Sequence, residues 1–255
     1  MSEKSKEKAI VIRQEEIADG IYSMWIKTEG IAQNAKAGQF VSVFSRDGSR
    51  LLPRPISICE LDKKDGALRL VYRVAGKGTE EISSLTAGRH IEIMGPLGNG
   101  FPKKSKSAFL IGGGIGIPPM LELAKNLDCE KQIILGYRDE LFLTEEFEKL
   151  GKVYIATEDG STGTKGTVLD AIKVNELKAD IIYACGPTPM LKALKEYARE
   201  EKMECWISME ERMACGIGAC LACVCKSKHK DSHTNVHNKR ICKEGPVFLA
   251  EEVEL

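Results

Sequence analysis

Phe109-Leu110-Ile111-Gly112-Gly113-Gly114-Ile115-Gly116-Ile117-Pro118-Pro119-Met120 passes from an unbroken apolar run, through a glycine loop, into a segment opened by two prolines. An apolar run without polar alternation reads as a strand buried on both faces, as in parallel sheets covered by helices. Pro118 and Pro119 suit a first helical turn, where a missing N–H is harmless. Glycines in such a loop let the backbone approach a diphosphate, and the helix N-terminus would offer it free N–H groups and the positive end of a dipole. The spacing is not G-x-G-x-x-G, and a glycine loop alone also serves as a tight turn.

Working downstream, strand and helix patterns alternate. Strands are expected at 108–112, 131–137, 153–157 and 180–185, helices at 118–126, 144–150, 166–172 and 189–202, and an edge strand at 205–208. This is the signature of an α/β parallel sheet, whose ligands bind beyond the carboxyl ends of its strands. Ile181-Ile182-Tyr183-Ala184-Cys185-Gly186-Pro187-Thr188-Pro189-Met190 ends a second strand at the same edge, where Cys185 would let a flat ring come close. A core cysteine before a helix start is the plain alternative; the two loops together favour a dinucleotide.

Upstream the period is different. Short alternating strands at 9–14, 21–27, 40–44, 54–60, 67–74 and 90–94, separated by Gly, Asp and Pro, predict an antiparallel β-barrel interrupted by one brief helix at 79–85. Gly95-Pro96-Leu97-Gly98-Asn99-Gly100-Phe101-Pro102 then breaks regular structure, and 103–107 is a basic linker. Arg54-Pro55-Ile56-Ser57 sets a permanent cation, a rigid residue and a hydroxyl in succession; Val71-Tyr72-Arg73 adds an aromatic and a second cation, and Gly76-Lys77-Gly78-Thr79 opens the helix. Arg clamps phosphate bidentately, Ser hydrogen-bonds a heteroaromatic ring, and a helix start attracts anions. Singly, Arg54 and Arg73 also read as surface charges.

The last third of the chain is decided by cysteine. Cys215, Cys220 and Cys223 form C-x4-C-x2-C, and eighteen residues separate Cys223 from Cys242. This is the plant-type pattern for a 2Fe-2S cluster, which needs two thiolates on each of two bridged irons. Gly216 and Gly218 suit a backbone wrapped closely round a bulky group. A rival reading takes Cys220, Cys223, His233 and His237 as a zinc site, though it leaves Cys215 and Cys242 over; a third takes the cysteines as structural thiols. His229, His233 and His237 recur every four residues among lysines, and the spacing reads as an exposed loop. His90 has no visible partner, and neither a Ser-His-Asp set nor a carboxylate pair supports hydrolysis.

The 255 residues carry 37 basic and 37 acidic side chains, so no global field recruits nucleic acid or an anionic membrane surface. The charged start, Met1-Ser2-Glu3-Lys4-Ser5-Lys6-Glu7-Lys8, lacks a signal peptide's apolar core, and no apolar run approaches the roughly eighteen residues of a membrane helix. A soluble protein of a reducing, cytoplasmic compartment is expected, its nine cysteines free of disulfides.

Taken together, these motifs, with Ser208-Met209-Glu210-Glu211-Arg212-Met213 and Cys242-Lys243-Glu244-Gly245-Pro246-Val247-Phe248, resemble the ferredoxin reductase superfamily and, within it, the electron-transfer subunits of B-type dihydroorotate dehydrogenases. The resemblance covers nearly the whole chain. It implies an FAD-binding barrel at 1–102, an NAD-binding α/β domain at 103–204 and a 2Fe-2S domain at 205–255. By that resemblance, Arg54, Pro55, Ile56, Ser57, Val71, Tyr72, Arg73, Gly78 and Thr79 contact FAD; Gly112, Gly113, Gly114, Gly116, Gly186 and Pro187 contact NAD, with Cys185 where nicotinamide meets flavin. Cys215, Cys220, Cys223 and Cys242 hold the cluster, and Cys225 does not. Ile56 stands where the superfamily often has an aromatic. The implied partner is an FMN-bearing dihydroorotate dehydrogenase catalytic subunit, in a heterotetramer of two plus two, working in pyrimidine biosynthesis. Nicotinamide exchanges a hydride, a 2Fe-2S cluster one electron, and a flavin converts between them. The alternative is a flavin and iron-sulfur subunit of a sulfhydrogenase or an NADH-dependent ferredoxin oxidoreductase. Carboxylates at 139, 140, 158 and 159 favour NAD over NADP, and Arg138 opposes them.

Overall fold

A computed structural model of the chain describes residues 4–48, 50–138, 140–230 and 235–255. Its first part is built from β1 (Ser5–Ala18), β2 (Ile21–Lys27), α1 (Ile31–Asn34), β3 (Phe40–Val43), β4 (Arg54–Asp62), β5 (Ala67–Arg73), α2 (Lys77–Ser83) and β6 (His90–Leu97). The strands close antiparallel in the order β1-β2-β5-β4-β3-β6. Alternation sends Val41, Val43, Ile56, Ile58, Leu68, Leu70 and Tyr72 into the barrel. Strand β1 is longer than the expected 9–14 and helix α2 begins two residues before the expected 79, and two further differences have a clear cause. A second short helix, α1, interrupts the barrel; the buried Glu7 carboxylate accepts the N–H groups of Glu29, Gly30 and Ile31 at 2.8, 3.0 and 3.0 Å, a long-range cap that four residues of sequence do not announce. The strand also does not stop at Met94: β6 continues through Gly95-Pro96-Leu97, because the register against β3 shifts there, between Phe40 and Ser42, and a bulge position tolerates a proline without an N–H.

The second part comprises β7 (Ala108–Gly113), α3 (Pro118–Asn126), β8 (Lys131–Tyr137), α4 (Thr144–Glu148), β9 (Lys152–Thr157), β10 (Thr164–Lys165), α5 (Val168–Val174), β11 (Ile181–Cys185), α6 (Thr188–Glu200) and β12 (Glu204–Ser208). Helix α5 starts later than expected because Thr167, and not Gly166, caps it: its hydroxyl accepts Asp170 N–H while Asp170 accepts Thr167 N–H. The tail adds β13 (Val224–Lys226), β14 (Asn238–Arg240) and β15 (Val247–Leu249). Among the described residues the sheet runs β10-β9-β8-β7-β11-β12-β15. Strand β12 is therefore not an edge. The antiparallel β15 covers it, Ser208 facing Val247, a pairing that depends on where the tail returns and not on any local pattern.

The chain leaves β7 toward β8, β9 and β10, then returns to lay β11 on β7's other side. The order reverses between β7 and β11, and in open sheets such a switch point is where the ligand crevice lies, outside the carboxyl ends of the strands. The barrel's outer face, with Ala18, Ile21, Cys59, Val71 and Phe101, shares one core with Leu110, Ile117, Met120 and Leu121. A polar clamp joins the same elements: buried Arg69 donates to Ser23 Oγ at 2.9 Å and Glu146 Oε2 at 2.6 Å, and Glu122 Oε2 accepts Leu61 N–H at 2.9 Å. The tail is pinned by Asn99, whose amide nitrogen donates to the carbonyls of Glu244 and Val247 at 3.0 and 2.8 Å and whose oxygen accepts Val247 N–H at 3.0 Å. The two glycine- and proline-rich segments of the sequence, 95–102 and 245–248, thus hold each other.

Candidate functional site

On the barrel, Arg54 begins β4 and lays its guanidinium against Gly78 at the start of α2, where any Cβ would overlap it; its Nη1 donates to Leu52 O. Thr79 Oγ1 closes the helix start, accepting Ala75 and Gly76 N–H at 2.9 and 3.2 Å and donating to Gly76 O at 2.9 Å. Glu81 holds the adjoining loop: Arg50 Nη1 and Arg46 N–H both reach it at 2.7 Å. Burial raises the Glu81 pKa, but these bonds, with one from Ser45, outweigh it and hold the carboxyl below its ordinary range. Pro55 and Ser57 alternate outward and Ile56 inward. Val71 faces the interdomain core, while Tyr72 points inside, stacked on Tyr22 at 6.1 Å with its hydroxyl donating to Gln14 Oε1 at 2.8 Å. The aromatic of that motif is committed to the barrel interior. Arg73 is exposed at the strand's end.

In the crevice, the two loops anticipated from sequence touch. Cys185 is level with Gly112 across the β7–β11 ladder. A Cβ on Gly116 would strike the Cys185 carbonyl, one on Gly112 would stand 2.9 Å from Ile117 Cα, and one on Gly113 would stand 2.6 Å from Met190 Sδ. These glycines are required for packing the two loops together, and Gly114, at φ +52°, is the one that faces open space. The helix start also differs from expectation. Pro118 and Pro119 have no N–H and that of Met120 is taken by Ile117 O at 3.0 Å, so the first turn of α3 contributes its dipole without free donors. Gly186 packs on Met190 and Pro187 caps α6. Cys185 is half-buried; burial pushes its thiol up to about 12, against a hydrogen bond with Ser208 that lowers it. Ser208, its register partner on β12, opens a motif that the sequence assigned no part in this site, and only the β11–β12 pairing brings it here. Of the carboxylates weighed for ribose contact, Glu140 accepts Asp19 N–H at 2.9 Å, Asp159 accepts Ser161 N–H at 2.9 Å, and Asp139 lies outside the described residues.

The thiols come in two pairs. Cys215 N–H points at Cys220 Sγ (3.5 Å) while Ala219 and Cys220 N–H point at Cys215 Sγ (3.3 and 3.4 Å); Cys242 N–H points at Cys223 Sγ (3.4 Å). Burial raises the Cys215 pKa, but N–H groups of Ile217, Cys220 and Ala219 prevail and bring it to about 6. Cys242 goes the other way, up to about 12, through burial and the neighbouring sulfurs of Cys223 and Cys215. Backbone donors aimed at sulfur, in a loop where Gly216 adopts φ +68°, fit a group held by two thiolates at each end. Among the described residues no three or more His, Cys, Asp or Glu side chains converge for a single metal ion. His237 Nδ1 lies 3.2 and 3.1 Å from the carbonyls of Ser227 and Lys228 at the base of the β13–β14 hairpin, and His233 lies outside the described residues. Cys225, on β13, is buried.

Two family models match: the oxidoreductase FAD-binding domain over residues 8–101 and the iron-sulfur cluster binding domain of dihydroorotate dehydrogenase B over residues 210–254. The chain is 45% identical over 254 residues to the dihydroorotate dehydrogenase B (NAD(+)), electron transfer subunit of Fusobacterium nucleatum, covering 94% of this chain and 95% of that one. This chain belongs to that family of electron transfer subunits. The same-named protein of Bacillus pumilus is 44% identical over 255 residues, with 96% of each chain covered. Among solved structures, a chain of the NADH-dependent reduced ferredoxin-NADP oxidoreductase superposes with a TM-score of 0.87 at 29% identity, covering 96% of this chain and 89% of that one. The FAD-binding match thus spans the barrel and the iron-sulfur match spans the cysteine tail.

Proposed function

We propose that this chain is the electron-transfer subunit of an NAD-linked dihydroorotate dehydrogenase, receiving single electrons from an FMN-bearing catalytic subunit at its tail and delivering pairs to NAD+ in its crevice. The observation that carries this reading is the layout along β3 and β4. Gly216 of the cysteine loop rests on Ser42 of β3, whose ladder neighbour is Pro55 of the Arg54–Ser57 segment, so the thiol loop and the candidate flavin strand lie one strand apart.

In this reading, residues 1–102 hold FAD, 103–204 hold NAD and 205–255 hold the 2Fe-2S cluster. When bound, FAD supplies the exchange between hydride and single-electron chemistry, and the cluster supplies the one-electron step. Arg54 and the start of α2 neutralise the diphosphate, Ser57 and the backbone of 71–73 orient the ring, and Gly114 gives the dinucleotide its approach. Cys185 is a neutral thiol at physiological pH, so it positions the nicotinamide without donating charge. Cys215, Cys220, Cys223 and Cys242 hold the irons. Around exposed Cys220, Ile217 is 45% and Leu221 53% exposed, an apolar rim on which the catalytic subunit would dock, excluding water between the two redox centres. A cytoplasmic heterotetramer of two plus two is the assembly proposed. No helix among the described residues is long and apolar enough to cross a membrane.

The test is anaerobic co-expression with the FMN-bearing subunit, measuring bound FAD, iron and sulfide, then dihydroorotate-dependent reduction of NAD+ and NADP+. Flavin, two irons per chain and faster reduction of NAD+ are expected; colourless protein, or no reduction by dihydroorotate, would refute the reading. The likeness to the ferredoxin-NADP oxidoreductase chain favours a second reading, a subunit serving a multi-cluster partner, which co-purification of that partner would reveal.

A further inference from the structure

Ser42 is the lone polar residue of β3, whose other members are Phe40, Val41 and Val43. Val41 and Val43 point into the barrel, so Ser42 points out of it. There it is 1% exposed, and among the described residues its hydroxyl has no hydrogen-bond partner. Its surroundings are Pro55 on β4, Met94 on β6 and the backbone of Gly216, where an added Cβ would stand 2.8 Å from Ser42 Oγ. Pro55 has no N–H to offer and Met94 offers only a thioether, so neither explains a hydroxyl. An alanine would fill the same space without leaving a buried polar group unpaired. The residue beside Gly216 is Cys215, whose sulfur takes N–H bonds from Ile217, Ala219 and Cys220, all within its own loop.

We propose that the Ser42 hydroxyl donates to a sulfur at the Cys215 end of the bound cluster and thereby raises the cluster's reduction potential. The inference rests on the cluster reading above. A hydrogen bond to sulfur stabilises the more negative, reduced form over the oxidised one, and such bonds are among the factors that set iron-sulfur potentials. Ser42 is a positioning residue on the route between the thiol loop and β4, and it holds no iron itself.

The experiment compares wild type, S42A and S42T in the anaerobically purified complex with FAD and cluster loaded. The cluster midpoint is read by EPR-monitored titration and the FAD midpoint by absorbance. S42A is expected to shift the cluster's one-electron equilibrium about tenfold toward the oxidised form, a fall of about 59 mV. S42T is expected to stay near wild type, with FAD potential and iron content unchanged. An unchanged cluster midpoint in S42A overturns the inference, as does a shift of the FAD midpoint alone, which would assign the hydroxyl to the flavin, or loss of iron, which would make the residue structural. Absence of any cluster signal in wild type would instead sink the function proposed above.

Discussion

Gly78→Ala separates ligand binding from folding in one substitution. The backbone at Gly78 does not require a left-handed conformation, so alanine in α2 should stabilise the helix by about 0.5–1 kcal/mol through reduced chain entropy. The new methyl would, however, occupy the place of the Arg54 guanidinium, Nε, Cζ and Nη2 alike. That group is the far end of a flexible side chain, so it would swing away and the barrel would not unfold. If Arg54 clamps the FAD diphosphate, G78A loses at least one charge-assisted hydrogen bond, about 1.5–3 kcal/mol. At about 1.4 kcal/mol per factor of ten, FAD should bind roughly 10- to 100-fold more weakly. The assay is fluorescence titration of deflavinated protein with FAD, beside urea unfolding of the same apoprotein. Since both changes act through one guanidinium, R54A should weaken FAD similarly and the double variant should lose little more. Wild-type affinity in G78A, or additive losses in the double variant, would refute the assignment of Arg54 to the phosphates.

Two further outcomes follow from the geometry. Cys185→Ala should slow hydride transfer from NADH to FAD in stopped-flow measurements; because the thiol's pKa is pushed up to about 12, the wild-type rate should be flat in this group's titration from about pH 6 to 9 and alkylation of Cys185 should quicken only toward higher pH. A wild-type rate in the variant would remove Cys185 from the nicotinamide site. Arg69→Ala should cost about 2 kcal/mol and lower the urea midpoint, because Arg69 is 7% exposed and bonded to Glu146 at 2.6 Å, while partial exposure of Glu146 and the Lys125–Glu60 pair at 2.5 Å limit the loss. An unchanged midpoint would show that the apolar face alone joins barrel and sheet.

The sequence by itself determined the strand periods, the order of barrel, parallel sheet and cysteine tail, and the four candidate iron ligands. These are local matters: a two-residue alternation, an unbroken apolar run and a C-x4-C-x2-C spacing each act through neighbours in the chain. The functions of individual glycines were not legible. Gly112, Gly113 and Gly116 exclude a Cβ because Ile117, Met190 and Cys185 press on them, and two of those three lie about seventy residues away along the chain. The tertiary structure alone decided that β15 covers β12 and that Glu7 caps α1. It alone set the Ser42 hydroxyl, unpaired among the described residues, beneath Gly216, more than a hundred and seventy residues distant. Burial and close approach are properties of the closed barrel and the returning tail, and a side chain's chemistry depends on which distant backbone the fold brings against it.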